Sequence, residues 1–140
     1  MRICAGGLLV WDGRILLARR ADDRVFYPGV WDVPGGHCTG SEAPAETLVR
    51  ELQEEVGITA TVFEQVAVLE GPRPTDYGDA RYHMFVVSGW AGEPQLQGSE
   101  HSELRWMDLG QALALPLAHP EYRQLFRGVL ASGGEGGRTI

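Results

Sequence analysis

The stretch GGHCTGSEAPAETLVRELQEEVGI, residues 35 to 58, sets Glu42, Glu46, Glu51, Glu54 and Glu55 close together with a single arginine, Arg50, among them. Like charges at helical spacing repel each other, so the crowding needs a reason. Pro44 suits the first turn of a helix, Glu46 complements the positive end of its dipole and Gly57 is a natural stop. The spacing therefore predicts a helix over 44–56. At about 100° per residue, Ala45, Leu48, Val49, Leu52 and Val56 share one arc, and Glu51, Glu54 and Glu55 share the opposite one. One face packs on a sheet and the other carries three carboxylates. Such a face has two readings. It can be solvated, its charges offset by pairing of Arg50 with Glu46 and Glu54. Or it can grip Mg²⁺, which takes hard oxygen ligands and suits carboxylates at i, i+3 and i+4 beside a phosphate. The preceding glycines would let a backbone carbonyl approach the same ion.

The intervals decide between these readings. Gly36, five residues, Glu42, seven residues, Arg50-Glu51-Leu52, one residue, Glu54-Glu55, one residue, Gly57-Ile58 resembles the Nudix box, G-x5-E-x7-R-E-U-x-E-E-x-G-U with U aliphatic, at every defined position. At ordinary residue frequencies a chance match is on the order of 10⁻⁹ per starting position, which removes the solvated face as an explanation. The segments LLARR, WDVPGG and ELRWMDL look like the strands that flank the box in that family, so most of the chain fits one such domain.

The resemblance implies an α/β fold, an α/β/α sandwich with a mixed β-sheet, and hydrolysis of a nucleoside diphosphate linked to another group, X, with Mg²⁺ or Mn²⁺. Carried over, Glu51, Glu54 and Glu55 ligate metal, and one of them or a further acid activates water. Arg50 orients the glutamates and pairs with Glu42. A further glutamate is expected from the loop before the last strand, Glu100 with Glu103 as competitor, and a backbone carbonyl from Gly35 or Gly36. The expected catalytic set is Glu54, Glu55, Arg50 and Glu100; the expected metal set is Glu51, Glu54, Glu55, Gly35 and Glu100. One departure stands out. Where many members have Ser or Thr before the helix proline, this chain has Ala43, and losing that cap costs about 1 kcal/mol of helix stability.

Metal ions supply the activated water and the counter-charge that diphosphate hydrolysis needs, so no covalent nucleophile is called for. A net charge of −7 repels a diphosphate, so local cations are required, and Arg19 and Arg20 at a strand end are the candidates. Phe26, Tyr27, Trp31, Tyr82 and Phe85 could stack on a base, Tyr27 and Trp31 above all. The short length and the layout resemble the branch acting on oxidised guanine nucleotides. That branch can read the base with asparagine, which this chain lacks; His119 occupies the comparable C-terminal loop. Pro74 meets a spacing typical of ADP-ribose enzymes, with Pro72 close by, and Arg20 and Arg24 echo part of a coenzyme A motif. The ranking is nucleoside triphosphate, then ADP-sugar, then coenzyme A. A non-hydrolytic nucleotide-binding module is a fourth reading, and the intact box argues against it.

Outward from the box, 140 residues fit one domain with a real core, placed at 1–131, and the glycine-rich 132–140 reads as a frayed tail. No apolar run approaches the roughly 20 residues of a membrane helix, and the N-terminus lacks a cleavage pattern, so a cytoplasmic protein without a membrane partner is expected. Cys4 and Cys38 stand in no metal or disulfide spacing. All twelve basic residues are arginine and form no stripe, which argues against a nucleic-acid polymer and for a small nucleotide substrate. A monomer and a homodimer are equally compatible with the chain. The predicted order is β-β-β-α-β-β-β-α, with a hairpin at Asp12-Gly13, a short strand over 31–33, strands over 60–71, 81–90 and 104–109, and a last helix over 120–131.

Overall fold

The computed structural model describes residues 1–24, 28–71 and 79–133. Phe26, Tyr27, Pro72 and Pro74 lie outside them, as do residues 134–140 of the tail.

Two apolar runs open the chain and form strands β1 (Arg2–Trp11) and β2 (Arg14–Arg20). Asp12 and Gly13, both at positive φ (54° and 72°), turn one into the other, the backbone a two-residue hairpin requires. Both strands are buried on both faces, which is why they read as continuous apolar runs rather than alternating ones. Strands β3 (Trp31–Asp32) and β4 (Gly35–His37) precede helix α1 (Pro44–Val56). Strands β5 (Thr59–Glu70), β6 (Ala80–Ala91) and β7 (His101–Met107) follow, then helices α2 (Leu109–Leu113) and α3 (Tyr122–Gly133).

The sheet runs β3-β2-β1-β6-β5, with β4 also on β1 and β7 also on β2. It is mixed: β1 and β6 are parallel, from Arg2↔Ala80 to Leu9↔Val87, and the other pairings are antiparallel. Leu9, Leu16 and Ala5 meet Leu48, Leu52 and Val56 of α1 on one face. Leu8, Val10, Ile15 and Leu17 meet Tyr122, Phe126 and Val129 of α3 on the other. The α/β/α sandwich is thus present, and the odd and even positions of β1 belong to different cores because side chains alternate along a strand.

Four elements differ from the sequence reading: β4 and α2, which it lacks, and the ends of β7 and α3. Gly35–His37, read as loop, is a strand because glycine fits where nothing else does: a Cβ at Gly35 would stand 2.1 Å from the Ala5 carbonyl oxygen. The last strand ends at Met107 rather than 109, because Asp108 caps α2. Its side chain accepts from the Gln111 N–H at 2.8 Å, and the Gln111 side chain accepts from the Asp108 N–H at 2.9 Å. Helix α3 also continues to Gly133, into the stretch read as tail.

Candidate active site

Helix α1 begins without a side-chain cap at Ala43, as its sequence requires, and Glu46 compensates by accepting from the Ala43 N–H at 2.8 Å. It ends at Gly57, whose φ of 71° is the left-handed stop. Its last carbonyls do not face water. Glu55 O accepts from the Gln97 N–H at 2.8 Å and Val56 O from the Gln95 N–H at 3.0 Å, so the segment between β6 and β7 is fastened over the helix end. That fastening leads into Glu100 and His101, beside the acidic face.

The three glutamates of the acidic helix face, Glu51, Glu54 and Glu55, are not equivalent. Side-chain exposure is 58% for Glu54 but 16% for Glu51 and 13% for Glu55. Glu55 is turned inward, where its Oε2 accepts from the Gly35 N–H at 3.3 Å and its Oε1 lies 4.0 Å from His101 Nδ1. Burial, then the neighbouring Glu51 carboxylate, then Glu100 push the Glu55 carboxyl up to about 10. Burial in turn pulls the His101 imidazole down, so it stays neutral and gives Glu55 no counter-charge. Glu51 lies against the glycine strand, and a Cβ at Gly36 would stand 2.4 Å from its Cδ. Absence of a side chain at Gly36 gives that carboxylate its place.

Arg50 binds the other side of the cluster. Nε and Nη2 hold Glu42 at 2.7 and 3.0 Å, Nη1 reaches Glu51 at 2.9 Å and Glu54 at 3.2 Å, and Nη2 also donates to the His37 carbonyl at 2.9 Å. The anticipated partnership with Glu42 is present; Glu51 and Glu54 join it. Among the described residues no three His, Cys, Asp or Glu side chains are gathered into ligand geometry. With the guanidinium holding Glu51 and Glu54, the carboxylates stand adjacent rather than convergent.

Glu100 approaches Arg20 at 3.6 Å and acts electrostatically on Glu55, whereas Glu103 pairs with Arg105 at 2.8 Å, away from the cluster. Arg19 is held by Asp22 at 2.8 Å and by the Ser102 hydroxyl at 3.1 Å. Arg19 and Arg20 thus sit where β2 ends, alongside the start of β7.

Two anticipated base contacts are buried. The Trp31 ring belongs to the core on the α3 side, 6% exposed. His119 is 4% exposed, and both ring nitrogens are engaged by backbone: Nδ1 accepts from the Glu121 N–H at 3.0 Å, which leaves Nε2–H to donate to the Glu70 carbonyl at 2.7 Å. Its hydrogen-bonding capacity is spent within the fold. Phe85 is likewise core, and Tyr82 stands edge-on to His119. Sequence reasoning passed over Asp32, a carboxyl between β3 and α3 that accepts from the Tyr122 hydroxyl at 2.6 Å and the Val33 N–H at 2.7 Å. Burial pushes it upward against those hydrogen bonds. It also passed over His101; the polar run QGSEHSE was its only local signal.

The NUDIX domain family profile matches residues 1–129. The CTP pyrophosphohydrolase of Escherichia coli (strain K12) is 39% identical over 107 residues, which are 76% of this chain and 76% of that protein. The 8-oxo-dGTP diphosphatase of the same organism is 34% identical over 109 residues, 78% of this chain and 81% of that protein. Among solved structures, that of the E. coli ORF135 protein superposes with a TM-score of 0.78 at 33% identity, covering 97% of this chain and 93% of the other.

Proposed function

The chain belongs to the Nudix hydrolase family, and from that membership we propose that it is a Mg²⁺- or Mn²⁺-dependent enzyme converting a nucleoside triphosphate to the monophosphate and pyrophosphate. The observation that carries this reading is the placing of Glu51 and Glu55 together against the Gly35–Gly36 backbone, with Glu100 acting on Glu55 as a further like charge. A desolvated carboxyl with like charges for neighbours either keeps its proton or takes a cation. The donors are hard oxygens without sulfur or a charged histidine, the set suited to Mg²⁺ or Mn²⁺.

Glu51, Glu54, Glu55, Glu100 and the Gly35 carbonyl would hold the ion. When bound, it neutralises phosphate charge and lowers the pKa of a coordinated water. Arg50 orients Glu51 and Glu54, and Arg19 and Arg20 bring positive charge to the polyphosphate, offsetting a protein of net charge −7. In the reaction the water oxygen bonds to phosphorus, the bond to the departing pyrophosphate breaks, and the water's proton passes to a carboxylate. In this reading Glu54, Glu55 or Glu100 would receive it. Relatives named for CTP and 8-oxo-dGTP support a triphosphate over an ADP-sugar.

The test is a panel of nucleoside triphosphates, their oxidised forms, ADP-ribose and coenzyme A with Mg²⁺, products identified by ³¹P NMR. A triphosphate releasing pyrophosphate is expected, with Glu54→Gln lowering kcat by about 10²-fold. Turnover of ADP-ribose alone would transfer the protein to the ADP-sugar class. Tight binding without turnover, in wild type and variant alike, would make it a binding module.

A further inference from the structure

We propose that Thr47 is a positioning residue for the metal-binding face of α1, acting through Glu42 and Arg50 on Glu51 and Glu54. The inference rests on the metal-dependent reading above. Thr47 is 0% exposed and sits in the helix one turn before Arg50, at a place the box motif leaves undefined. A buried hydroxyl in a helix commonly turns back to the carbonyl four residues earlier. Here the Thr47 hydroxyl donates to Glu42 Oε1 at 2.9 Å, and the Ala43 carbonyl accepts the Thr47 backbone N–H at 3.0 Å.

The links from there are saturated. Glu42 Oε1 accepts from Thr47 Oγ1, from Thr39 N at 3.0 Å, from Thr39 Oγ1 at 3.1 Å and from Arg50 Nη2 at 3.0 Å; its Oε2 accepts from Arg50 Nε at 2.7 Å. Arg50 first, then Thr39 and Thr47, hold the Glu42 carboxyl below the usual carboxylate range, and the Glu42 and Glu51 carboxylates hold the Arg50 guanidinium above its own. A guanidinium has five N–H groups in one plane. Three go to Glu42 and the His37 carbonyl, so the direction of the remaining two, which hold Glu51 and Glu54, follows from where Glu42 stands. Thr39 fastens Glu42 to the loop; Thr47 fastens it to the helix that carries the acids. Removing the Thr47 hydroxyl leaves four donors on Glu42, enough for its charge, and releases its tie to α1 that does not run through the Arg50 guanidinium, so that Glu42 and Arg50 can shift together relative to Glu51 and Glu54.

The experiment compares wild type, Thr47→Val, which keeps the branched shape, and Thr47→Ser, which keeps the hydroxyl. Mn²⁺ binding is followed by electron paramagnetic resonance without nucleotide, and the Arg50 Nε–H by ¹H–¹⁵N NMR without metal. For Thr47→Val we expect Mn²⁺ affinity about 10-fold weaker, in the range of lost outer-shell partners. Faster exchange of the Arg50 Nε–H should accompany it, with both properties restored in Thr47→Ser. Unchanged affinity and exchange in Thr47→Val would overturn the proposal. A Thr47→Ser as impaired as Thr47→Val would assign the effect to packing and overturn it equally. Wild type that binds no Mn²⁺ would bring down the metal-dependent reading itself, whereas loss in Thr47→Val alone leaves that reading intact.

Discussion

At the scale of single residues, Glu55 shows how burial turns an ordinary acid into a proton store. With its carboxyl pushed up to about 10 by burial, Glu51 and Glu100, it keeps its proton at neutral pH unless a cation takes the proton's place. A cation taking that place must expel the proton, so binding strengthens as pH rises through the range below 10. We expect close to one proton released per Mg²⁺ or Mn²⁺ between pH 6 and 9, the apparent Kd falling about tenfold per pH unit. Calorimetry in two buffers of different ionisation enthalpy measures this directly, and an identical heat in both would contradict it. The neighbouring glycines separate fold from site. A methyl at Gly36 meets the far end of the Glu51 side chain, which can move, so Gly36→Ala should keep its melting temperature yet lose about 10²-fold in kcat/KM through a displaced carboxylate. A methyl at Gly35 meets the Ala5 backbone 2.1 Å away, which cannot move without opening the β4–β1 pair. Gly35→Ala should therefore destabilise the protein by about 3 kcal/mol in denaturant titration. Equal melting temperatures for the two variants would refute the distinction.

At the scale of elements, helix α1 was legible in the sequence down to its ends, because Pro44, the apolar arc and Gly57 are local signals that the structure had no reason to override. Its uncapped start is also a sequence property with a thermodynamic consequence. Ala43 has the extended backbone of an N-cap, φ −77° and ψ 156°, so Ala43→Ser should raise stability by about 1 kcal/mol with kcat unchanged, read from thermal unfolding. No gain would contradict the assignment of Ala43 as a missing cap, because Glu46 accepts from the Ala43 N–H and leaves the first helical N–H groups without a side-chain partner at the N-cap. Strand β4 was not legible, since three residues containing two glycines have low strand propensity and form a strand only because β1 accepts them. Helix α2 carried a readable signal, Asp108 with Gln111 three residues on, but Leu104 to Leu109 also has a strand's composition, and that pattern hid the cap.

At the scale of the whole molecule, the Asp32 carboxyl and the Tyr122 hydroxyl join residues 90 apart in sequence and tie β3 to α3. Burial raises the Asp32 carboxyl in the folded protein above its value in the unfolded chain. The unfolded state then binds fewer protons than the native one, so this group's contribution is present below the unfolded value and is lost as pH rises through the folded one. Asp32→Asn keeps an oxygen for the Tyr122 hydroxyl and the Val33 N–H without the charge. Its melting temperature should gain on wild type as pH increases from about 4, and a gap that stays constant with pH would show that Asp32 does not titrate in that window.

The sequence by itself determined the family, the α/β/α class, helix α1 and the three acids on one of its sides. Each is written in local spacing, and a helix or an alternating strand needs only its own residues to declare its period. Only the tertiary structure decided that Glu54 faces water while Glu51 and Glu55 are enclosed, and that Glu100 rather than Glu103 stands by Arg20. It also placed Trp31 and His119 within the fold. Enclosure depends on what a distant segment lays over a side chain: Gly35 and Gly36 on one side, the Gln95–His101 run on the other. Where such segments cross is fixed by strand pairing between residues far apart in the chain, which no local pattern records.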